Sequence, residues 1–190
     1  MNAVGVYGGS FDPVHYGHLS LARAALEQFG LSPLYIIPAY HPPHKEKTAA
    51  SFAQRLAMAR LAFADFPEVV VSDLERQRGG ISYTIDSVEQ LRTRHPDSEI
   101  YLLIGADTAE EIDTWKAPDR LAQLVRLLVA GRSGFSGKLQ EYWRVADIIM
   151  PPVDISATVI RQELRAGHPI TDYVPGAVAE YIGRHHLYCG

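Results

Sequence analysis

The chain has 190 residues, of which 47% are hydrophobic and 21% charged, a balance typical of a globular protein with one domain over residues 1–190. The formal net charge of −4 at pH 7 argues against a nucleic-acid partner bound through a broad basic surface. No apolar run approaches the roughly 20 residues of a membrane span, so no membrane partner is expected. Cys189 is the only cysteine, which excludes an internal disulfide, and no signal-peptide pattern opens the sequence. Both features favour a cytoplasmic location.

Short apolar runs typical of strands alternate with helical patterns along the chain. The strand-like runs lie at residues 3–7, 34–37, 69–71, 100–104, 124–130 and 147–150. The helical patterns lie at residues 18–29, 51–64, 84–94, 158–166 and 175–184. Because the strand-like runs are continuously apolar, we expect strands that are buried on both faces. The sequence therefore predicts an α/β fold: a doubly wound, Rossmann-like parallel sheet of five to six strands, with helices on both faces and a C-terminal helical segment.

The most informative segment, residues 8–18, follows the first strand and leads into the first helix. Glycines in such a turn let backbone N–H groups approach a ligand closely, and the helix N-terminus beside them favours phosphate. Two histidines, His15 and His18, would lie on one face of the helix and can donate ring N–H groups to phosphate oxygens. The segment predicts a nucleotide phosphate site at the carboxyl ends of the strands. The alternative is a tight strand–helix connection with surface histidines.

A second polar segment, residues 155–161, stands before a predicted helix. Ser156 and Thr158 are placed to cap this helix or to donate to phosphate, and Arg161 can reach the same anion. Taken alone, the segment fits an ordinary N-cap with a surface arginine. In combination with the first segment, it favours a second part of the phosphate site.

The two segments resemble the two signatures of the HxGH nucleotidylyltransferase superfamily. Residues 9–18 read Gly-Ser-Phe-Asp-Pro-Val-His-Tyr-Gly-His, and residues 155–161 read Ile-Ser-Ala-Thr-Val-Ile-Arg. The superfamily has serine at the position of Ala157, so one hydroxyl donor to phosphate is missing in this chain. The resemblance implies that these segments hold the phosphates of ATP and that the catalytic residues are His15, His18 and Arg161.

Further segments resemble bacterial nicotinate mononucleotide adenylyltransferases. They lie at residues 42–45, 78–86, 104–107, 114–116 and 129–132, so the resemblance covers nearly the whole chain. It implies adenylyl transfer from ATP to the 5′-phosphate of nicotinate mononucleotide, with release of pyrophosphate, in NAD biosynthesis. Mg²⁺ is expected to enter through the ATP phosphates and water, with Asp12 as a candidate contact to its water shell, and no dedicated metal site is predicted.

The same resemblance assigns residues to the two substrates. The ATP residues are Gly8, Gly9, Ser10, Phe11, His15, His18, Gly105, Asp107, Ser156, Thr158 and Arg161. The nicotinate mononucleotide residues are Lys45, Tyr83, Thr84, Trp115 and Arg132. Lys45 and Arg132 would neutralise the mononucleotide phosphate, and Trp115 would stack on the pyridine ring. Backbone N–H groups near Tyr83 and Thr84 would hold the ring carboxylate.

Other functions stay open at this point. The nearest is an adenylyltransferase that acts on nicotinamide mononucleotide or phosphopantetheine; Trp115 and residues 82–84 favour a pyridine nucleotide over phosphopantetheine. A regulatory nucleotide-binding module would be expected to have lost His15, His18 or Arg161, and all three are present. A dinucleotide-binding dehydrogenase is disfavoured because the turn is not Gly-x-Gly-x-x-Gly. The sequence does not indicate an oligomeric state, and a homo-oligomer is left open.

Overall fold

The computed structural model describes residues 2–43, 48–130 and 139–189. Its strands are β1 (Ala3–Gly9), β2 (Leu34–Pro38), β3 (Val69–Val71), β4 (Glu99–Gly105), β5 (Val125–Ala130) and β6 (Val145–Ile148). Its α-helices are α1 (Tyr16–Phe29), α2 (Phe52–Ala62), α3 (Leu74–Arg78), α4 (Thr84–Arg94), α5 (Ala106–Glu111), α6 (Pro118–Leu124), α7 (Ala157–Arg165) and α8 (Gly176–Arg184), and a 3₁₀ turn over Ile112–Thr114 follows α5. None of these helices is long and apolar enough to cross a membrane.

The strands form one parallel sheet in the order β3-β2-β1-β4-β5-β6. The direction of winding reverses between β1 and β4, which pair with each other although they are far apart in sequence. This is the topological switch point of a doubly wound sheet, where loops at the carboxyl ends diverge and leave a crevice. The predicted fold class is therefore confirmed, with six strands.

Neighbouring residues on each central strand point into two different cores. On β1, Val6 belongs to one core and Tyr7 to the other, and Leu102 and Leu103 repeat this division on β4. Because successive side chains of a strand point to opposite faces, the sheet is covered on both sides. Residues of α1, α2, α7 and α8 fill one core, and residues of α4 and α6 fill the other. The double burial explains the continuously apolar strand sequences.

The sixth strand is shifted by two residues from the prediction, three short helices were not predicted, and the other bounds differ by at most two residues. The sixth strand ends at Ile148 rather than at residue 150 because Gln28 of α1 engages the next residue. Its side-chain amide donates to the Ile149 carbonyl at 2.7 Å and accepts from the Ile149 N–H at 3.0 Å. The helices α3, α5 and α6 were not predicted, since five to seven residues are too few to show a helical period.

Candidate active site

A cleft of about 1250 Å³ opens at the carboxyl ends of the strands, at the switch point between β1 and β4. Most of the predicted site residues line it, namely Gly8, Gly9, Ser10, Phe11, His15, His18, Tyr83, Thr84, Gly105, Asp107, Trp115, Thr158 and Arg161. The fold therefore brings both sequence motifs to one place. Lys45 and Arg132 lie outside the described residues.

The two histidines of the first motif stack on each other at the start of α1. Their ring centroids are 3.8 Å apart and the ring planes are inclined by 36°. Nδ1 of His18 accepts a hydrogen bond from the backbone N–H of His15 at 3.2 Å, as an N3 side chain does in a capping box. In the neutral ring the hydrogen must then sit on Nε2. The fold thus determines which atom of His18 is the donor.

His15 is the more deeply buried of the pair, with only 7% of its surface exposed. Burial lowers the pKa of His15 from 6.5 to about 4, because removal from water penalises the charged ring. Its Nδ1 has no hydrogen-bond partner among the described residues. A Cβ atom at Gly17 would lie 3.0 Å from this Nδ1. The glycine between the two histidines therefore leaves room for the close approach of the His15 ring.

The residues of the glycine turn have different roles. Gly8 has open space where a side chain would begin, so a ligand can approach its backbone. A Cβ atom at Gly9, in contrast, would lie 3.2 Å from ring atoms of Phe11. The Phe11 side chain is 1% exposed and packs against the rings of Tyr7 and His18. Phe11 can thus offer a nucleotide only its backbone, while its ring supports His18.

The start of α7 holds the second motif against the first. Arg161 donates from Nη1 to the carbonyl oxygen of Asp12 at 2.7 Å, and from Nη2 to Oγ1 of Thr158 at 3.2 Å. Ser156 caps the helix, since its Oγ accepts from the backbone N–H of Val159 at 3.2 Å. Thr158 and Arg161 line the cleft, whereas Ser156 does not. Ser156 thus acts as the N-cap of α7, while Thr158 and Arg161 reach the cleft; the assignment of all three to ATP stays a prediction.

Sequence reasoning missed a buried arginine beneath the site. Arg55 of α2 is 1% exposed and donates to three carbonyl oxygens: Ser10 at 2.7 Å, Ala39 at 2.7 Å and Ala50 at 3.3 Å. Burial lowers the pKa of Arg55, and the nearby charge of Asp12 opposes this effect. Its position one helical turn before Ala59, on the buried face of α2, is the signal that could have revealed it.

Asp12 anchors the same region from the other side and is 5% exposed. Its carboxylate accepts from the backbone N–H groups of Ala49 at 2.7 Å and Ala50 at 3.1 Å, and from the hydroxyl of Tyr188 at 2.7 Å. Burial, followed by the charge of Asp12, raises the pKa of Tyr188, so that its hydroxyl stays protonated. With both oxygens engaged, Asp12 anchors the loops beneath the site, and its contact to the water shell of Mg²⁺ stays a prediction.

Tyr83 and Trp115, two aromatic residues of the cleft, pack against the same apolar core. Tyr83 is the N-cap residue of α4, and no described side chain caps this helix. Nζ of Lys116 lies 4.5 Å from the centroid of the Tyr83 ring and 3.0 Å from Oδ1 of Asp86, a residue in the first turn of α4. The Lys116–Asp86 pair, which sequence reasoning did not single out, thus ties the segment that carries Trp115 to this helix.

The remaining predicted residues lie after β4. Gly105 is the N-cap residue of α5, and Asp107 is an exposed residue in its first turn. The carboxylate of Asp107 can accept hydrogen bonds from ligand hydroxyl or amino groups. Within residues 2–43, 48–130 and 139–189, no group of three or more His, Cys, Asp or Glu residues is suited to hold a metal ion.

Comparison with known sequences is consistent with this site. The cytidylyltransferase-like family matches residues 6–163, a range that includes both motifs. Among the relatives that carry the name "probable nicotinate-nucleotide adenylyltransferase", two examples match over almost their full length. The one from Bacillus pumilus is 38% identical over 189 residues, and the one from Herpetosiphon aurantiacus is 39% identical over 196 residues. In each case the match covers 99% of both chains.

Solved structures show the same fold. Nicotinic acid mononucleotide adenylyltransferase of Plasmodium falciparum, complexed with NaAD, superposes with a TM-score of 0.82 at 21% identity, over 99% of this chain and 98% of that chain. The same enzyme complexed with APC gives a TM-score of 0.80 at 20% identity, with the same coverage. From the family match and the full-length relatives, the chain belongs to the cytidylyltransferase-like family and, within it, to the nicotinate-nucleotide adenylyltransferases.

Proposed function

We propose that this protein transfers the adenylyl group of ATP to the 5′-phosphate of nicotinate mononucleotide, giving nicotinate adenine dinucleotide and pyrophosphate in NAD biosynthesis. The observation that carries the proposal is that one cleft contains the histidine pair and Arg161 together with Tyr83 and Trp115. Hydrogen-bond donors for phosphate beside aromatic side chains suit the binding of two nucleotides whose phosphates react with each other. The names of the curated relatives and the NaAD complex of the P. falciparum enzyme support the choice of substrates.

In the proposed reaction, an oxygen of the 5′-phosphate attacks the α-phosphorus of ATP. A new P–O bond forms while the bond from the α-phosphorus to the oxygen bridging to the β-phosphate breaks, and pyrophosphate leaves with the electron pair. The attacking phosphate is already an anion near neutral pH, so no proton has to be removed. Catalysis then consists of positioning and of stabilising charge with fixed donors.

The first motif supplies donors of that kind. His18 presents Nε2–H to the α-phosphate, because its Nδ1 is engaged with the backbone. His15, whose pKa is about 4, is neutral at pH 7 and contributes an N–H dipole to the ATP phosphates without a charge. Thr158 and Arg161 hold the pyrophosphate end, and the backbones of Gly8 to Phe11 approach the phosphates. Gly105 and Asp107 lie by the adenosine.

The acceptor binds on the other substrate residues. Trp115 stacks on the pyridine ring, and uncapped N–H groups at the start of α4, near Tyr83 and Thr84, hold the carboxylate. Lys45 and Arg132 neutralise the mononucleotide phosphate. ATP enters as its Mg²⁺ complex, because phosphates and water satisfy this ion without a protein cage.

The proposal extends to the organisation of the protein. Residues 1–190 form one domain, which is supported by the shared core of α8 with α1 and α2: Val178 and Ile182 belong to the same apolar cluster as Leu21 and Met58. A cytoplasmic location, expected from the lone cysteine, is part of the same proposal.

Pyrophosphate release tests the function directly. With ATP and Mg²⁺, we expect turnover with nicotinate mononucleotide and much weaker turnover with nicotinamide mononucleotide or phosphopantetheine. Preference for the amide would keep the chemistry but contradict the carboxylate site at α4. Turnover only with phosphopantetheine would move the protein to another adenylyltransferase family, and no turnover with any acceptor would favour a binding module.

Replacement of His18 should remove a transition-state donor. We expect His18→Ala to lower kcat by on the order of 10²–10³, with little change in the free energy of unfolding. His18→Gln should lose less activity, since its amide N–H can reach the position of Nε2. Near-normal steady-state turnover of His18→Ala would show that the assignment is wrong.

Lys116 should influence the choice between acid and amide. Lys116→Ala leaves the charge of Asp86 uncompensated in the first turn of α4, where it repels a ligand carboxylate but not an amide. We expect the ratio of kcat/KM for nicotinate over nicotinamide mononucleotide to fall about fivefold at low salt, which corresponds to about 1 kcal/mol.

The matched control is the double variant Lys116→Ala/Asp86→Asn, which removes both charges and should restore the ratio. An equal loss of kcat/KM for both acceptors in Lys116→Ala would instead indicate that Lys116 acts by holding the Trp115 segment in place.

Burial of His15 should make stability depend on pH. Between the folded pKa of about 4 and the unfolded value of 6.5, the unfolded chain binds a proton that the folded protein does not. The free energy of unfolding therefore falls as pH drops through this window, by up to about 3 kcal/mol from this group. His15→Gln should lose that component. Urea unfolding at several pH values measures it, and parallel pH curves for the two proteins would contradict the prediction.

A further inference from the structure

Arg55 bridges two loops that the proposed function assigns to different substrates. Ser10 follows β1 and belongs to the ATP phosphate turn, whereas Ala39 follows β2 and begins the loop assigned to the acceptor, whose described residues Pro42 and Pro43 line the cleft. Nη1 of Arg55 donates to the Ser10 carbonyl and Nη2 to the Ala39 carbonyl, each at 2.7 Å. The side chain is 1% exposed, so it acts from behind the cleft and not by touching a substrate.

The bridge begins where the sheet ends. Parallel pairing of β1 with β2 runs to the partners Gly9 and Pro38, and the N–H of Ala39 donates to the Gly9 carbonyl at 2.8 Å. The pairing of β1 with β2 ends at this point. The planar guanidinium of Arg55 then links the backbone after β1 to the backbone after β2, with two donors at a fixed spacing.

The same unit reaches the second motif through Asp12. Its carboxylate holds the backbone of Ala49 and Ala50 and the hydroxyl of Tyr188, and its carbonyl oxygen accepts from Arg161. The Ala50 carbonyl in turn accepts from Nε of Arg55 at 3.3 Å. The loops after β1 and β2, the start of α2 and the start of α7 are therefore held by one connected set of buried and partly buried polar contacts.

We propose that Arg55 is a positioning residue for adenylyl transfer, because its bridge from Ser10 to Ala39 fixes the distance between the ATP loop and the acceptor loop. This inference rests on the proposed function. In-line attack needs the reacting atoms to be about 3–3.5 Å apart, and a misplacement of about 1 Å can lower the rate about 10²-fold. Either loop can still bind its own substrate when the bridge is lost. Arg55 therefore acts on kcat more than on the binding of ATP.

The test variant is Arg55→Lys. Lysine keeps a positive charge beside Asp12, but its single ammonium group cannot match the fork that spans both carbonyls. We expect kcat to fall about 10- to 100-fold while the Kd of ATP changes less than about threefold. Calorimetry measures the Kd of ATP and the fraction of protein that binds ATP. Pyrophosphate release, normalised to that fraction, measures the fall in turnover.

The matched control is Arg92→Lys. Arg92 of α4 also donates to two carbonyl oxygens, those of Ser98 and Leu124, and it is not among the residues that line the cleft. We expect this variant to lose stability as Arg55→Lys does, while its kcat stays at the wild-type value. An equal loss of kcat in both variants would overturn the proposal, since it would indicate general destabilisation.

The proposal is also overturned if Arg55→Lys keeps wild-type kcat, or if its Kd for ATP weakens as much as kcat falls. If Arg55→Lys does not fold, Tyr188→Phe replaces it, because this change removes only the hydroxyl that donates a hydrogen bond to Asp12. A severalfold lower kcat of Tyr188→Phe with unchanged Kd for ATP supports the positioning role, and unchanged kcat overturns it.

The unaltered protein separates the proposed function from the positioning role of Arg55. Its failure to release pyrophosphate with any acceptor overturns the proposed function, and this inference with it. If it uses a different acceptor, the comparison is made with that acceptor.

Discussion

The arrangement of the cleft depends on two buried charged side chains, Arg55 and Asp12, that form hydrogen bonds with the backbone of loops. A guanidinium removed from water costs several kcal/mol unless its donors are used, and Arg55 uses them on three carbonyl oxygens. Asp12 does the converse with two backbone N–H groups and a hydroxyl. Loops lack the regular backbone hydrogen bonds of strands and helices, so the hydrogen bonds of these two side chains fix the loop conformations.

The site on this foundation is built from neutral or fixed dipoles more than from free charges. His15 is buried and uncharged, His18 has its acceptor atom engaged by the main chain, and Arg161 is held by a carbonyl of the first motif. Such groups need little reorganisation when charge develops on a phosphate, which is how preorganised donors stabilise a transition state. The same features suit a reaction whose nucleophile arrives already ionised.

The fold followed from the sequence because its signal is local and repeated. Continuously apolar runs such as residues 100–104 indicate strands buried on both faces, and the two cores bear this out. Both motifs fell in the cleft for a similar reason, since parallel strands bring their carboxyl ends to one edge. Arg55 and Tyr188 escaped prediction because their roles depend on partners up to 176 positions away. Ser156 shows the opposite limit: capping and phosphate binding use the same residue types, and its hydroxyl, which accepts from Val159, can still donate. The roles assigned to Lys45 and Arg132 stay predictions.

The contact between Tyr188 and Asp12 has a consequence for the order of events during synthesis. Asp12 leaves the ribosome early, but the hydroxyl that completes its hydrogen bonds lies 176 positions later. At about 5–20 residues per second, translation separates the two by roughly nine to thirty-five seconds. During that interval β1, α1 and β2 can form, while the anchor beneath the phosphate turn still lacks one of its three donors. The nascent chain therefore completes its nucleotide pocket only after almost all of it has been made.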